Sequence, residues 1–128
     1  MRKSFVILAG LMLVSAGSLR AQDAAVVNPK TIHVTLDNDK VRVFEATLPP
    51  GWKENMHSHP TSSVYVIEGG KIRNHAADGT TSEATYAAGM TAYRDPVTHW
   101  AENIGTTTIR LIVVEMKPQP AGGAPSTH

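Results

Sequence analysis

The sequence predicts an all-β domain, because short alternating segments, regular turn signals and a lack of helical periodicity occur together. Between residues 31 and 117, β-branched and apolar residues alternate with polar ones in short runs, and Gly, Pro, Asn or Asp separates the runs. No window in this range repeats apolar residues at helical spacing over three turns. About eight short strands of this kind favour a sandwich or barrel, and a closed barrel or a jelly roll would protect the sheet edges.

The turn residues define the strands in order. Residues 31–36 and 40–48 flank the turn Asp37-Asn38-Asp39, and Pro49-Pro50-Gly51 ends the second strand. Glycine turns then separate the strands that follow, as in a hairpin joined at Gly69-Gly70. These further strands are predicted at 64–68, 71–75, 80–86, 90–93, 99–103 and 106–116.

The two ends of the chain differ from this pattern. Residues 1–21 contain three basic residues and no acidic ones around an apolar stretch, followed by small residues, which predicts a signal peptide cleaved after Ala21. We expect a flexible lead-in at 22–30, one folded domain at 31–117, and a disordered tail at 118–128, which is rich in Pro and Gly.

Composition excludes several classes of function. The chain has 128 residues and no cysteine, so thiolate metal sites, iron–sulfur clusters and cysteine nucleophiles are absent. Removal of the leader takes away three of the twelve basic residues and leaves nine against eleven acidic ones, a net charge of −2. That balance argues against a nucleic-acid partner. We expect a secreted or periplasmic protein with no membrane contact after cleavage.

Histidines carry the clearest chemical signal. His57 and His59 stand two positions apart, so on a strand both point to the same face. His99 follows the proline-containing turn Asp95-Pro96. Neutral imidazole suits zinc, copper, iron and nickel, and three histidines with an open coordination position are typical of a catalytic metal site.

These residues resemble the two sequence motifs of the cupins. Gly51, five residues, His57-Ser58-His59 and Gly70 match the first motif, and Gly89, Pro96, His99 and Asn103 match the second. The resemblance implies a single-domain jelly-roll β-barrel over most of 31–116. It also implies one central metal ion, commonly bound by the three motif histidines and a Glu or Gln.

The chain departs from the motifs in ways that affect the predicted site. The Glu or Gln position falls on Ser63, or on Ser62 in a shifted alignment, and neither serine is expected to bind metal. The second motif is one residue short and lacks its second glycine. A shell of three neutral ligands favours copper, while zinc, iron, manganese and nickel stay open.

Residues outside the histidine motifs are candidates for catalysis or substrate contact. Tyr65, Glu45 and Glu115 are the catalytic candidates, because strand alternation could turn them inward. Trp52 and Trp100 adjoin motif elements and could stack on sugars. We expect the remaining histidines to be structural or solvated; these are His33, His75 and His128.

The function expected from these features is a secreted, metal-dependent oxidoreductase acting on a carbohydrate or a small organic molecule. Oxidative polysaccharide cleavage is one form of it, since the chain resembles secreted copper-binding cupins that act on cellulose. The alternatives are a non-catalytic metal- or ligand-binding module and a non-redox metal-dependent hydrolase, lyase or isomerase. We also expect a homodimer that extends a sheet through 31–36 or 107–116.

Overall fold

The computed structural model describes residues 22–122, so the predicted signal peptide and the last six residues of the predicted tail lie outside it. No helix in the described part is long and apolar enough to cross a membrane. Its elements are α1 (Ala24–Val27), β1 (Ile32–Asp37), β2 (Val41–Leu48), β3 (His57–His59), β4 (Ser62–Glu68), β5 (Gly70–Ala76), β6 (Thr81–Tyr86), β7 (Thr91–Arg94), β8 (Val97–Asn103) and β9 (Ile109–Met116).

The strands form two antiparallel sheets. One has the order β1-β2-β9-β4-β7 and the other the order β3-β8-β5-β6. Both contribute to one hydrophobic core, in which Phe44 and Ile109 of the first sheet and Ile72 of the second are buried. This arrangement confirms the predicted all-β jelly roll. Hydrogen bonding within the described residues keeps the two sheets separate instead of closing them into one barrel.

The inward-facing residues of β9 are apolar along most of the strand and end in a polar residue. On β9, Ile109, Leu111, Val113 and Glu115 are buried in turn, while the residues between them are only half-buried. Since successive side chains point to opposite faces, this row aims a carboxylate inward after three apolar residues. The core therefore ends at Glu115, and the polar site begins there.

The N-terminal segment differs from the expected flexible lead-in at 22–30. Asp23 caps α1 by accepting hydrogen bonds from the backbone N–H groups of Ala25 and Val26. Ala24 is fully buried against the core, and the N–H of Ser58 donates to the carbonyl of Gln22. This segment thus packs beside β3, because it buries an apolar residue and completes backbone hydrogen bonds.

Three motif residues have structural roles. Gly51 and Gly89, which open the two motifs, have positive φ angles of 77° and 83°, a conformation that favours glycine. Asn103 is fully buried and donates hydrogen bonds to the carbonyls of Leu48 and Thr107. It thereby ties β8 to the ends of β2 and of the loop before β9.

Candidate metal centre

The three motif histidines lie together inside the fold. His57 on β3 is directly opposite His99 on β8, and His59 is two positions further along β3 on the same face. All three are buried, and one ring nitrogen from each lies within 4.8 Å of the others. The cluster can therefore hold a metal ion, as the motif spacing predicts.

Hydrogen bonds on the far side of two rings set their tautomers. Nδ1 of His57 is 2.7 Å from the carbonyl oxygen of Asn55, and Nδ1 of His59 is 2.7 Å from Oε1 of Glu115. Carbonyl and carboxylate oxygens only accept, so the 2.7 Å contact of each Nδ1 is a donated hydrogen bond. For His57 this contact is shorter than the 3.2 Å between Nδ1 and the amide Nδ2 of Asn28. In the neutral rings, the lone pair then resides on Nε2, the atom that would face a metal.

The Nε2 atoms show that the cluster fits a cation. Nε2 of His57 and Nε2 of His59 are 2.9 Å apart. With both Nδ1 atoms protonated, no proton is left for a bond between them in the neutral rings, so two lone pairs face each other. Nε2 of His99 is buried and has no hydrogen-bond partner among the described residues. A cation placed among the three atoms would satisfy all of them.

Burial keeps the rings of His57 and His99 neutral. Removal from water lowers the pKa of His57 to about 4 and the pKa of His99 to about 3. Neighbouring histidines and the charge of Arg94 act in the same direction as burial, because they oppose a second positive charge. The Asn55 carbonyl and Glu115 oppose the lowering of the His57 pKa. Neutral imidazoles at physiological pH need no deprotonation before they bind a metal.

A charged network supports His59. Glu115 accepts from His59 through Oε1, while its Oε2 accepts a hydrogen bond of 2.8 Å from Nε of Arg42 and forms an ion pair with Nη2 at 2.7 Å. Arg42 also pairs with Asp23, the cap of α1. Burial opposes the charge on Asp23, but the Arg42 guanidinium outweighs it and lowers the pKa of that carboxyl. Glu115, one of the predicted catalytic candidates, therefore orients a ligand and lies behind it.

The structure also places a carboxylate at the site that was not predicted from the sequence, Glu54. Its side chain is only 6% exposed, and Oε2 lies 3.8 Å from Nε2 of His57 and accepts a hydrogen bond from the N–H of Ala101. Burial raises the pKa of Glu54 to about 7, although the Ala101 hydrogen bond and the charge of Arg94 act in the opposite direction. A carboxyl group with a pKa near neutrality thus lies beside the histidine cluster.

The other catalytic candidates lie away from the cluster. Tyr65 is 47% exposed and alternates with the buried residues of β4. Glu45 is half-buried between the inward residues of β2, and its Oε1 accepts from Arg110 at 2.6 Å. The structure brings neither residue to the histidines.

The two serines at the motif's carboxylate position occupy opposite faces of β4. Ser62 is buried, and its hydroxyl has no hydrogen-bond partner among the described residues. Ser63 is half-buried, and its hydroxyl contacts the carbonyl of Ala92 at 3.5 Å. A carboxylate placed at Ser63 would consequently point away from the histidines.

Neither tryptophan is free for stacking on a sugar in this structure. Trp52 is half-buried and packs against the core, and Trp100 stacks on His75 with ring centroids 3.5 Å apart. This corrects the expectation that the two tryptophans are available to stack on sugars. His75 also contacts Glu102, His33 is exposed, and His128 lies outside the described residues.

Two cavities meet at the cluster. The inner cavity has a volume of about 30 Å³ and is lined by the three histidines, Glu54 and core side chains. The outer pocket has a volume of about 430 Å³ and reaches the surface beside β5, β7 and the start of β8. Both are lined by Asn74, Arg94 and His99, so the route from the surface to the histidines passes these residues.

Comparison with known proteins identifies the fold. No protein-family model matches the chain, and no curated protein matches it in sequence. Among solved structures, it is similar to a cupin domain from Bordetella pertussis Tohama I, with 25% identity over 68% of this chain and 92% of that one and a TM-score of 0.63. A protein with a double-stranded β-helix domain from Klebsiella pneumoniae has 25% identity over 71% and 78%, with a TM-score of 0.53.

A third similar structure supports the fold only. It is an RmlC-like cupin family protein with a double-stranded β-helix fold from Methanocaldococcus jannaschii, with 20% identity over 68% of this chain and 81% of that one and a TM-score of 0.53. Fold and site together define an all-β jelly roll of the cupin type with a buried three-histidine cluster. The chain is thus similar in fold to cupin domains.

Proposed function

We propose that this protein is an exported, metal-dependent oxidoreductase whose metal ion is held by His57, His59 and His99. One observation carries the proposal: three buried histidines each place a ring nitrogen within 4.8 Å of the other two, and Nε2 of His99 has no hydrogen-bond partner among the described residues. A cluster of this kind is costly without a cation, because buried polar atoms need partners. The outer pocket is open to the surface and is lined by His99, so a substrate can approach the cluster from this side.

The bound ion would exchange electrons with dioxygen or peroxide as oxidant and so oxidise an organic substrate. The residues of the chain hold the site for that reaction. Three protein ligands leave open coordination positions, Glu115 fixes the His59 ring, and Glu54 can accept or release a proton beside the cluster. Core residues exclude water from the inner side.

Glu54 changes the argument on metal identity. The preference for copper rested on a shell without any carboxylate, but a buried carboxyl group adjoins the cluster. Oxygen ligands are preferred by harder ions, so iron and manganese now stand beside copper. For the substrate, the occupied tryptophans favour a small organic molecule over a polysaccharide chain.

Elemental analysis of protein purified without added metal tests the proposal. We expect copper, iron or manganese at about one ion per chain. An electron paramagnetic resonance signal should then change on treatment with ascorbate and return on treatment with hydrogen peroxide. Protein stripped with a chelator provides the control. A protein that takes up no metal would contradict the proposal.

A non-redox metal-dependent hydrolase, lyase or isomerase is the second candidate function. Glu54 favours it, because a carboxyl group with a pKa of about 7 beside a metal site is suited to general acid–base work. Zinc in the purified protein, with no response to ascorbate, would select this candidate or a non-catalytic binding module.

Export and dimer formation belong to the same proposal. N-terminal sequencing of protein from the native host should give a start near Gln22.

For the dimer, β1 is an edge strand with exposed Val34 and Leu36, whereas β9 lies between β2 and β4 and cannot extend the sheet. We therefore assign the interface to β1. Light scattering should give twice the mass of one chain, and a mass of one chain would refute the dimer.

A further inference from the structure

The outer pocket is a built polar site. It is formed by β5, by Thr80, Thr81 and Ser82 after the β5–β6 turn, and by residues 94–97 between β7 and β8. Its volume of about 430 Å³ falls in the range of small-molecule sites. At its inner end, Asn74, Arg94 and His99 separate it from the inner cavity.

Polar atoms at this inner end lack partners. Oδ1 of Asn74 and Nε2 of His99 are buried without a hydrogen bond to any described residue. Buried polar groups are nearly always paired, so each unpaired one calls for an explanation. A metal explains His99, but it leaves Asn74 unexplained. A ligand in the outer pocket with an O–H or N–H group would satisfy Asn74.

Arg94 is a half-buried cation without an ion pair. No carboxylate among the described residues lies within 4.0 Å of its guanidinium, and its one side-chain hydrogen bond goes to the hydroxyl of Tyr86. Arg42 shows the contrast, because Glu115 and Asp23 both pair with it. Guanidinium groups carry five donors in a planar fork that matches a carboxylate. Most N–H donors of the Arg94 guanidinium therefore have no hydrogen-bond partner among the described residues.

A larger groove does not share this property. It has a volume of about 620 Å³ and passes Arg42, Glu115 and Lys117 on another face. Each of these charges already has a partner, since Arg42 pairs with Glu115 and Lys117 with Asp37. The unpaired charge therefore singles out the outer pocket.

We propose that the outer pocket binds a small organic carboxylate, whose carboxylate pairs with Arg94 and whose hydroxyl or amino group donates to Asn74. This inference deepens the proposed function and rests on it for the reaction, since it names the substrate class of the same site. Asp95 also lines the pocket and carries the opposite charge to Arg94. Glu54 lines the inner cavity together with Arg94 and is a second acidic group near it, so one carboxylate fits that balance better than a dianion such as phosphate.

Calorimetric titration with lactate tests the proposal, with its neutral amide, lactamide, as the control ligand. Lactate should bind metal-loaded protein more tightly than lactamide. In Arg94→Gln, lactate affinity should fall by about ten- to a hundredfold, as expected for a lost charge-assisted pair, while lactamide affinity stays the same. Arg73→Gln is the matched control, because Arg73 neighbours Asn74 on β5 but pairs with Glu83 at the surface.

Two further measurements separate the outcomes. Titration of metal-free protein should still show an Arg94-dependent preference for lactate, so a failure to bind metal would refute the proposed function without touching this inference. Arg94→Lys keeps the charge but loses the fork, and it should bind lactate with intermediate affinity. Equal binding of lactate and lactamide, wild-type lactate affinity in Arg94→Gln, or tighter binding of inorganic phosphate would overturn the proposal.

Discussion

The two histidines of β3 are supported in different ways, although they lie two residues apart. His59 donates to the carboxylate of Glu115, which is itself held by Arg42. His57 donates to the backbone carbonyl of Asn55, beside the neutral amide of Asn28. A carboxylate partner raises the basicity of an imidazole ligand more than a neutral one does. His59 is therefore expected to bind the metal more strongly than His57.

His99 differs from both, since it has no carbonyl or carboxylate partner of this kind among the side-chain hydrogen bonds of the described residues. It depends on the β3–β8 pairing for its position. This gradation indicates that the cluster combines one imidazole held by a carboxylate, one held by a backbone carbonyl and one placed by strand pairing. Variants of each support should separate their contributions.

The largest effect is expected when a ligand itself is removed. His57→Ala, His59→Ala or His99→Ala should abolish stable metal occupancy, because two protein ligands hold a divalent ion poorly. Binding to the folded state adds stability, about 2.7 kcal/mol at a hundredfold excess over Kd, so a chelator should lower the Tm of the wild type but leave these variants unchanged. His33→Ala, at an exposed position, is the control. Full occupancy in His99→Ala would refute the assignment.

Loss of the charged support should have the next largest effect. Glu115→Gln keeps the size of the side chain but removes its charge, and metal affinity should fall by about ten- to a hundredfold. Glu45→Gln is a matched control, because Glu45 is also paired with an arginine but lies away from the histidines. Competition with a metal-binding dye measures both. Equal affinity in the two variants would show that Glu115 does not tune His59.

Glu54 should affect the choice of metal more than the amount bound. In Glu54→Gln, we expect affinity for manganese and iron to fall relative to copper, since an oxygen donor is lost from the neighbourhood of the ion. Glu83→Gln, at an ion pair on the outer sheet face, should leave this ratio unchanged. Uptake from an equimolar mixture of the three metals measures the ratio. An unchanged ratio in Glu54→Gln would place Glu54 outside the metal site.

The smallest effect is expected from the neutral support. Asn28→Ala removes an amide that accepts from the N–H of Asn55 at 2.7 Å, and it should cost about 1 kcal/mol of folding free energy. Because Asn55 then holds His57 less firmly, metal affinity should fall only a few-fold. Asn38→Ala loses comparable backbone bonds at the β1–β2 turn, far from the site, and should lower stability alone.

Much of the fold and half of the site could be predicted from the sequence. Alternation and turn residues were sufficient for every described strand except the short β3. The His57-Ser58-His59 spacing was sufficient for the cluster, since it depends on local geometry. Glu54 and Arg94 could not be found in this way. Glu54 lies in an irregular stretch before β3, and Arg94 ends a short edge strand, so alternation fixes the direction of neither. The loss of a carboxylate at Ser63 also suggested a neutral shell that Glu54 now alters.

A shortened version of this protein needs residues 22–28 if its histidine cluster is to keep its supporting contacts. A truncation that begins at Thr31, where the predicted strands begin, would retain every strand of both sheets. It would nevertheless lose the Asp23 partner of Arg42 and the Asn28 contact beside His57. Such a protein is expected to fold with a weakened metal site, and a tag fused directly before Gln22 would lie against the strand that carries two of the ligands.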